Sequence, residues 1–156
     1  MQYRKLLLFI PFSLLFSCAP LKPLQYRSLN NFSFTAAGNT PQITFDLNLY
    51  NPNSLGAKLK DFNVDIEMNG IKLASAQLAD VSYAKAQAEF AIPININTTA
   101  EQLAQLLPAG LKMFTSGDGI PVHLQGNLTV KKFILRKTFP FDVQEKVDLS
   151  KIRLGK

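Results

Sequence analysis

From Ile43 onward apolar and polar residues alternate one for one. Ile43, Phe45, Leu47 and Leu49 fall on one side of an extended chain, and Thr44, Asp46, Asn48 and Tyr50 on the other. A repeat of two marks a strand with one buried face, because successive side chains of extended backbone point in opposite directions. The same code returns at Phe62, Val64, Ile66 and Met68, at Phe90, Ile92, Ile94 and Ile96, and at Val122, Leu124, Leu128 and Val130. Phe32 and Phe34 predict an earlier strand; Phe139, Phe141 and Val143 predict a last one. Asn69-Gly70, directly after Met68, predicts a tight hairpin, since both residue types accept the positive φ of a type I′ turn. Short strands separated by turn signals add up to an antiparallel sandwich or barrel.

One segment departs from this period. Thr98-Thr99-Ala100-Glu101 fits a capping box, with Thr98 as N-cap and Glu101 reaching back to it. Leu103, Leu106 and Leu107 follow at helical spacing, and Pro108 and Gly110 end the stripe, so a short helix is expected to cover one end of the sheets. Thr115–Gly119 reads as a plain connector: its glycines precede a strand, not a helix whose N-terminal amides could hold phosphate. The alternation slips between Val130 and Phe133, which predicts a bulge near Lys131.

The chain has 156 residues, which suits one domain. With 47% apolar and 18% charged residues it has the composition of a folded protein, not a disordered one. No apolar run reaches the roughly 20 residues of a membrane-spanning helix. One Cys and one His cannot build a disulfide framework or a Cys/His zinc site.

The N-terminus reads as an address. Arg4 and Lys5 precede the eleven-residue apolar run Leu6–Phe16, which leads to Ser17 and Cys18, the pattern of a secretory signal peptide. Leu15-Phe16-Ser17-Cys18 resembles the lipobox of bacterial lipoproteins. That resemblance implies that Cys18 becomes an acylated N-terminus and the chain's contact with a membrane. Ala19 follows the Cys where some bacteria place an Asp that retains lipoproteins at the inner membrane, so export and anchoring at the outer membrane are favoured. The expected organisation is a leader over 1–17, lipidated Cys18 with a tether over 18–28, a domain over 29–149 and a tail over 150–156. Cleavage leaves 15 basic and 11 acidic residues, a net charge of +4. So small an excess, with no nucleic-acid-binding motif, gives no case for a nucleic-acid partner.

Leu47-Asn48-Leu49-Tyr50 runs directly into Asn51-Pro52-Asn53, followed by a spacer, the alternating strand Phe62–Met68, and Gly70. Proline fixes φ near −65° and flanking Asn side chains hydrogen-bond nearby backbone, so the triplet should lock a corner. Near the C-terminus comes Phe139-Pro140-Phe141 with alternation toward Leu149. In order and spacing this resembles the group 2 late embryogenesis abundant proteins, or water stress and hypersensitive response domain, over roughly residues 29–149. The resemblance implies an all-β fold, an antiparallel fibronectin-III- or immunoglobulin-like β-sandwich of about seven strands with one short helix. It also implies a non-catalytic interaction or stress-protection role for an envelope lipoprotein. A carrier of an apolar ligand or lipid in the envelope is the alternative.

Candidate chemistry is sparse. His123 falls on a polar strand face with Gln125, Asn127 and Thr129, and a lone His there reads as a surface residue. Asp61, Asp65 and Glu67 lack the spacing of a calcium loop and read as solvated positions. Three glycosylation sequons, at Asn31, Asn97 and Asn127, are incidental under a bacterial address. No enzyme, metal or cofactor is expected. Lys131, Lys132, Arg136 and Lys137 bracket Phe133-Ile134-Leu135, and these four are the candidate contact with an anionic surface. An envelope protein or lipid is the expected partner, its identity unspecified by the sequence.

Overall fold

A computed structural model describes residues 20–35, 40–77, 82–106, 108, 119–148 and 153–154. Leader residues 1–17, Cys18, Leu107, Gly110, Thr115–Asp118 and Leu149 lie outside the described residues. The strands are β1 (Gln25–Thr35), β2 (Gln42–Asn51), β3 (Ala57–Met68), β4 (Ile71–Gln77), β5 (Ser82–Ala84), β6 (Ala88–Asn97), β7 (Ile120–Lys132), β8 (Leu135–Val147) and β9 (Arg153–Leu154). Seven of them are long, in accord with the expected count; β5 and β9 are two short additions.

They form two sheets, in the orders β6-β2-β1-β9 and β4-β3-β7-β8, with β5 beside β4 along the same flank of β3. All the long pairings are antiparallel, and β9 runs parallel to β1. This is an all-β sandwich. Its core is the set of stripes read from the alternation: Ile43, Phe45, Leu47 and Leu49 of β2, Phe62, Val64, Ile66 and Met68 of β3, Ile92, Ile94 and Ile96 of β6, and Val122, Leu124, Leu128 and Val130 of β7 are all buried. Phe32 stacks on Phe45 with ring centroids 4.9 Å apart. Gly126 interrupts the β7 stripe because β3 passes too close for a side chain: a Cβ there would lie 2.0 Å from the carbonyl oxygen of Asn63. Phe141, opposite Gly126 on β8, is buried.

Two interior prolines sit on outer strands, Pro93 on β6 and Pro140 on β8. A residue without an N–H is tolerated there because an outer strand has one unpaired side. Asn69 (φ 50°) and Gly70 (φ 77°) make the β3–β4 turn in the left-handed region, as their residue types predicted.

Four expectations need correction. The helix, over residues 100–106, is capped by Thr99 rather than Thr98: the Gln102 amide donates to Thr99 Oγ1 at 3.2 Å, and the Thr99 amide donates to Gln102 Oε1 at 3.1 Å. Thr98 is still part of the sheet layer, buried, with its amide on the Pro41 carbonyl at 2.9 Å. The bulge expected near Lys131 lies on the neighbouring strand. There the pairing jumps from Leu59–Val130 to Asp61–Thr129, leaving Lys60 as the extra residue, while β7 pairs β8 without a break to Lys132. Phe133 is out of phase because it is a turn residue, with φ of 54°. Finally, strand pairing starts at Gln25, and Leu21 and Leu24 are buried, so part of the segment expected as a tether over 18–28 packs with the core; at the other end Arg153–Leu154, in the expected tail, pairs with β1. Among the described residues no helix is long and apolar enough to cross a membrane.

Candidate functional site

Asn51 occupies the next inward position after Leu49 on β2, so a polar side chain stands where the alternation calls for an apolar one. It is fully buried. Its Nδ2 donates to the carbonyls of Lys85 (2.9 Å), Ala84 (3.1 Å) and Leu55 (3.4 Å), and its Oδ1 accepts from the backbone amide (3.1 Å) and Nδ2 (2.8 Å) of Asn53. Buried amides are stable only when paired in this way. Asn53, also buried, then grips the N-terminal segment: the Lys22 amide donates to Oδ1 at 2.9 Å and Nδ2 donates to the Lys22 carbonyl at 3.0 Å. Pro52, between them, is half-buried. The triplet therefore does more than turn a corner, because it ties Lys22, the loop before β3 and the β5–β6 turn into one end of the sandwich.

The β7–β8 hairpin projects from that same end. Lys131 pairs with Lys58, the second residue of β3, and the two-residue turn Phe133–Ile134 lies beyond it. An open hollow of about 460 Å³ between the hairpin and the Leu55–Gly56 loop is lined by Lys58, Tyr83, Lys132 and Phe133. On the hairpin's other side Lys60, Asp61, Lys131, Ile134 and Arg136 line a second one. Phe133 is 79% exposed and Ile134 93%; Leu135, Leu55 and Tyr83 complete the exposed large apolar residues among those described. All five are at this end. Single exposed apolar side chains are ordinary; a gathering of five at one end is not.

The predicted basic residues are here too. Lys131, Arg136 and Lys137 are exposed and Lys132 half-buried. Pairing with β3 adds Lys58 and Lys60, both exposed, which the sequence reading did not connect to them. Arg136 is ion-paired with Asp61, and Lys137 lies over the Phe139 ring, 5.1 Å from its centroid. Farther along the same strands acids appear instead: Asp65 and Glu67 on β3, Asp142 and Glu145 on β8. The second sheet has an excess of basic residues toward the hairpin tip and, even with Lys72 and Lys146 there, an excess of acidic ones toward the opposite end.

Of the positions expected to be inert, Asp61 is at this end, paired with Arg136, while His123, Asp65 and Glu67 lie away from it. His123 Nε2 lies 2.9 Å from Asp142 Oδ1 and its Nδ1 3.7 Å from Glu67 Oε2, an acid–His–acid row across the solvent face of three strands. Asp65 bonds Lys72 Nζ at 2.7 Å and Ser75 Oγ, and these two donors, Lys72 first, hold its carboxyl below the usual range. Among the described residues no three His, Cys, Asp or Glu side chains form a group that could hold a metal ion.

The family model described as late embryogenesis abundant protein matches residues 46–145. An uncharacterized protein of Methanocaldococcus jannaschii is 25% identical over 120 residues, or 74% of this chain, and the chain spans 64% of that relative's length. A solution structure of an Arabidopsis thaliana protein shares the fold, with a TM-score of 0.56 at 14% identity over 83% of both chains. A crystal structure of an Archaeoglobus fulgidus protein gives 0.47 at 12% identity, covering 80% of this chain and 99% of that one.

Proposed function

We propose that this chain, which belongs to the group 2 late embryogenesis abundant family through residues 46–145, is a non-catalytic lipoprotein of the cell envelope. Its sandwich acts there as an interaction module in stress protection, held at the membrane by acyl chains on Cys18 and facing the outer membrane.

One observation carries the reading: Asn53 holds both backbone groups of Lys22, four residues after Cys18. Four residues span at most about 14 Å. An anchored Cys18 would keep the end bearing Asn53, the hollow and the β7–β8 hairpin close to the bilayer. Each buried methylene of an acyl chain contributes about 0.8 kcal/mol, so two or more chains give durable attachment. Two of the outer strands, β6 and β8, each carry a proline, which favours loops and hairpin tips over strand addition as the means of contact.

The test is metabolic labelling with a palmitate analogue in a bacterial host. The wild-type chain should take up label and lose its leader, so that its mass begins at Cys18. Cys18→Ser should take up none and retain the leader. Label persisting in Cys18→Ser, or an unlabelled and uncleaved wild-type chain, would refute the lipoprotein reading.

A further inference from the structure

We infer that the β7–β8 hairpin is a membrane wedge: Phe133 and Ile134 enter the acyl region of an anionic phospholipid bilayer while the surrounding cations contact its headgroups. The docking depends on the lipoprotein reading only for the nearness of the bilayer; the wedge itself is a property of the described surface.

The two β-turns of this sheet make the first case. At one end the β3–β4 turn is Asn69-Gly70, whose residue types suit positive φ. At the other, the β7–β8 turn puts Phe133 at φ 54°, a conformation that bulky side chains rarely adopt. Folding alone would place Asn or Gly there and would not leave Phe133 and Ile134 at 79% and 93% exposure. A turn that is unfavourable both in backbone and in solvation points to a use outside the fold.

Charge and position select the partner. Lys58, Lys60, Lys131, Lys132, Arg136 and Lys137 surround the tip. The acids described at this end, Asp61 and Glu89, are paired with Arg136 and Arg27. An apolar point inside a basic collar is the complement of a layer with anionic headgroups above hydrocarbon. Leu55 and Tyr83 broaden the apolar footing beside the tip. The N-terminal segment leaves from this end through the Asn53–Lys22 clasp, so tether and wedge address the same surface. The acids Asp65, Glu67, Asp142 and Glu145 lie farther from the tip along the same strands, where an anionic layer would not touch them.

The chain contains no Trp, which supplies the probe. Full-length protein carrying Phe133→Trp is purified, its acylation read by mass spectrometry, and incorporated into phosphatidylcholine vesicles with or without phosphatidylglycerol, the acyl chains brominated. The expected result is a blue-shifted, bromine-quenched emission that requires phosphatidylglycerol and weakens with salt. Lys146→Trp, on β8 far from the tip, should stay unquenched. Adding Lys131→Gln and Lys132→Gln to Phe133→Trp should lower the docked-to-free ratio roughly 30-fold, at about 1 kcal/mol per cation. Phe133→Asn with Ile134→Gly imports the turn chemistry of the other hairpin. It should keep the fold and, in a chain that mass spectrometry shows to be unacylated, lose sedimentation with phosphatidylglycerol vesicles. An unquenched, solvent-like emission from the Phe133→Trp protein on anionic vesicles would overturn the wedge, as would equal quenching in Lys146→Trp or binding of the tip to an acidic protein but not to vesicles. Failure of acylation alone would instead strike the lipoprotein reading, and the unacylated chain's tip-dependent sedimentation would still support the wedge.

Discussion

Replacing Asn51 by Ala should destabilise the protein by about 3–5 kcal/mol, an unusually large effect for so small a truncation. The side chain makes five hydrogen bonds, and three of them are in fully buried surroundings: to the Ala84 carbonyl, from the Asn53 amide and from Asn53 Nδ2. Each buried donor or acceptor left unmade costs about 1–3 kcal/mol, so three give about 3 kcal/mol at the lower bound. The Lys85 and Leu55 carbonyls, in partly exposed surroundings, can turn to water and are counted as nothing. At this size each kcal/mol corresponds to roughly 2–4 °C, so the melting temperature should fall by roughly 6–20 °C. Asn51→Leu is the sharper test, because it completes the apolar stripe of β2 and fills nearly the same volume. It should recover at most about 2 kcal/mol by burial and stay less stable than wild type. Urea unfolding measures both variants, with the midpoint lowered and the slope unchanged. Hydrogen exchange of the Lys22 amide adds a local readout: it should quicken in Asn51→Ala, as Asn53 loses its orienting partner, and further in Asn53→Ala, which removes its acceptor. Asn51→Leu matching wild type within about 0.5 kcal/mol would show that the network contributes no net stability, and the reasoning would fail.

Two further outcomes follow from the second sheet. Gly126→Ala should cost about 1–3 kcal/mol or more, because the new Cβ meets the β3 backbone at Asn63 and Val64 and not a side chain that could swing away; trimming Phe141 to Leu in the same chain should not restore the melting temperature. Asp65 should titrate in carboxyl-detected NMR below its ordinary 3.8, with Lys72→Met moving it back up. Because the folded value is the lower one, what this carboxylate adds to stability is present above the unfolded value and is lost as pH falls through the folded one; an unshifted midpoint in Lys72→Met would refute the pairing.

Period-two patterning made most of the sandwich legible, since the four long stripes and the Asn69-Gly70 turn need only local information. It failed at β4. There the pairing passes from Ile66–Ala74 to Glu67–Lys72, so Leu73 is an extra residue and the alternation breaks among alanines too small to mark a face. The helix start was ambiguous because Thr98-x-x-Glu101 and Thr99-x-x-Gln102 are both capping boxes, one residue apart. A backbone bond from Thr98 to Pro41, more than fifty residues away, decides between them. Distance along the chain also hid two of the six cations around the β7–β8 tip. Lys131, Lys132, Arg136 and Lys137 are visible as a run, but Lys58 and Lys60 join them only through the β3–β7 register. Phe133-Ile134-Leu135 reads as strand on composition, since nothing in three apolar residues announces a turn. For Asn51 the sequence supports a local corner; its bonds to Ala84 and Lys85 depend on β2 pairing with β6, whose first residue lies opposite it.

The flanks of the two sheets share one property. Pro93 and Pro140 deny hydrogen bonds along two of them, and a third is divided between the seven-residue β4 and the three-residue β5. The last, β1, has register breaks at Tyr26/Ser28 and Asn30/Ser33 and a two-residue cover in β9. Among the described residues, each flank is thus short, broken in register or missing a donor. Cross-strand fusion with a neighbour is the hazard for any β-rich molecule, and breaks in the flanks shorten the stretch over which such fusion could begin.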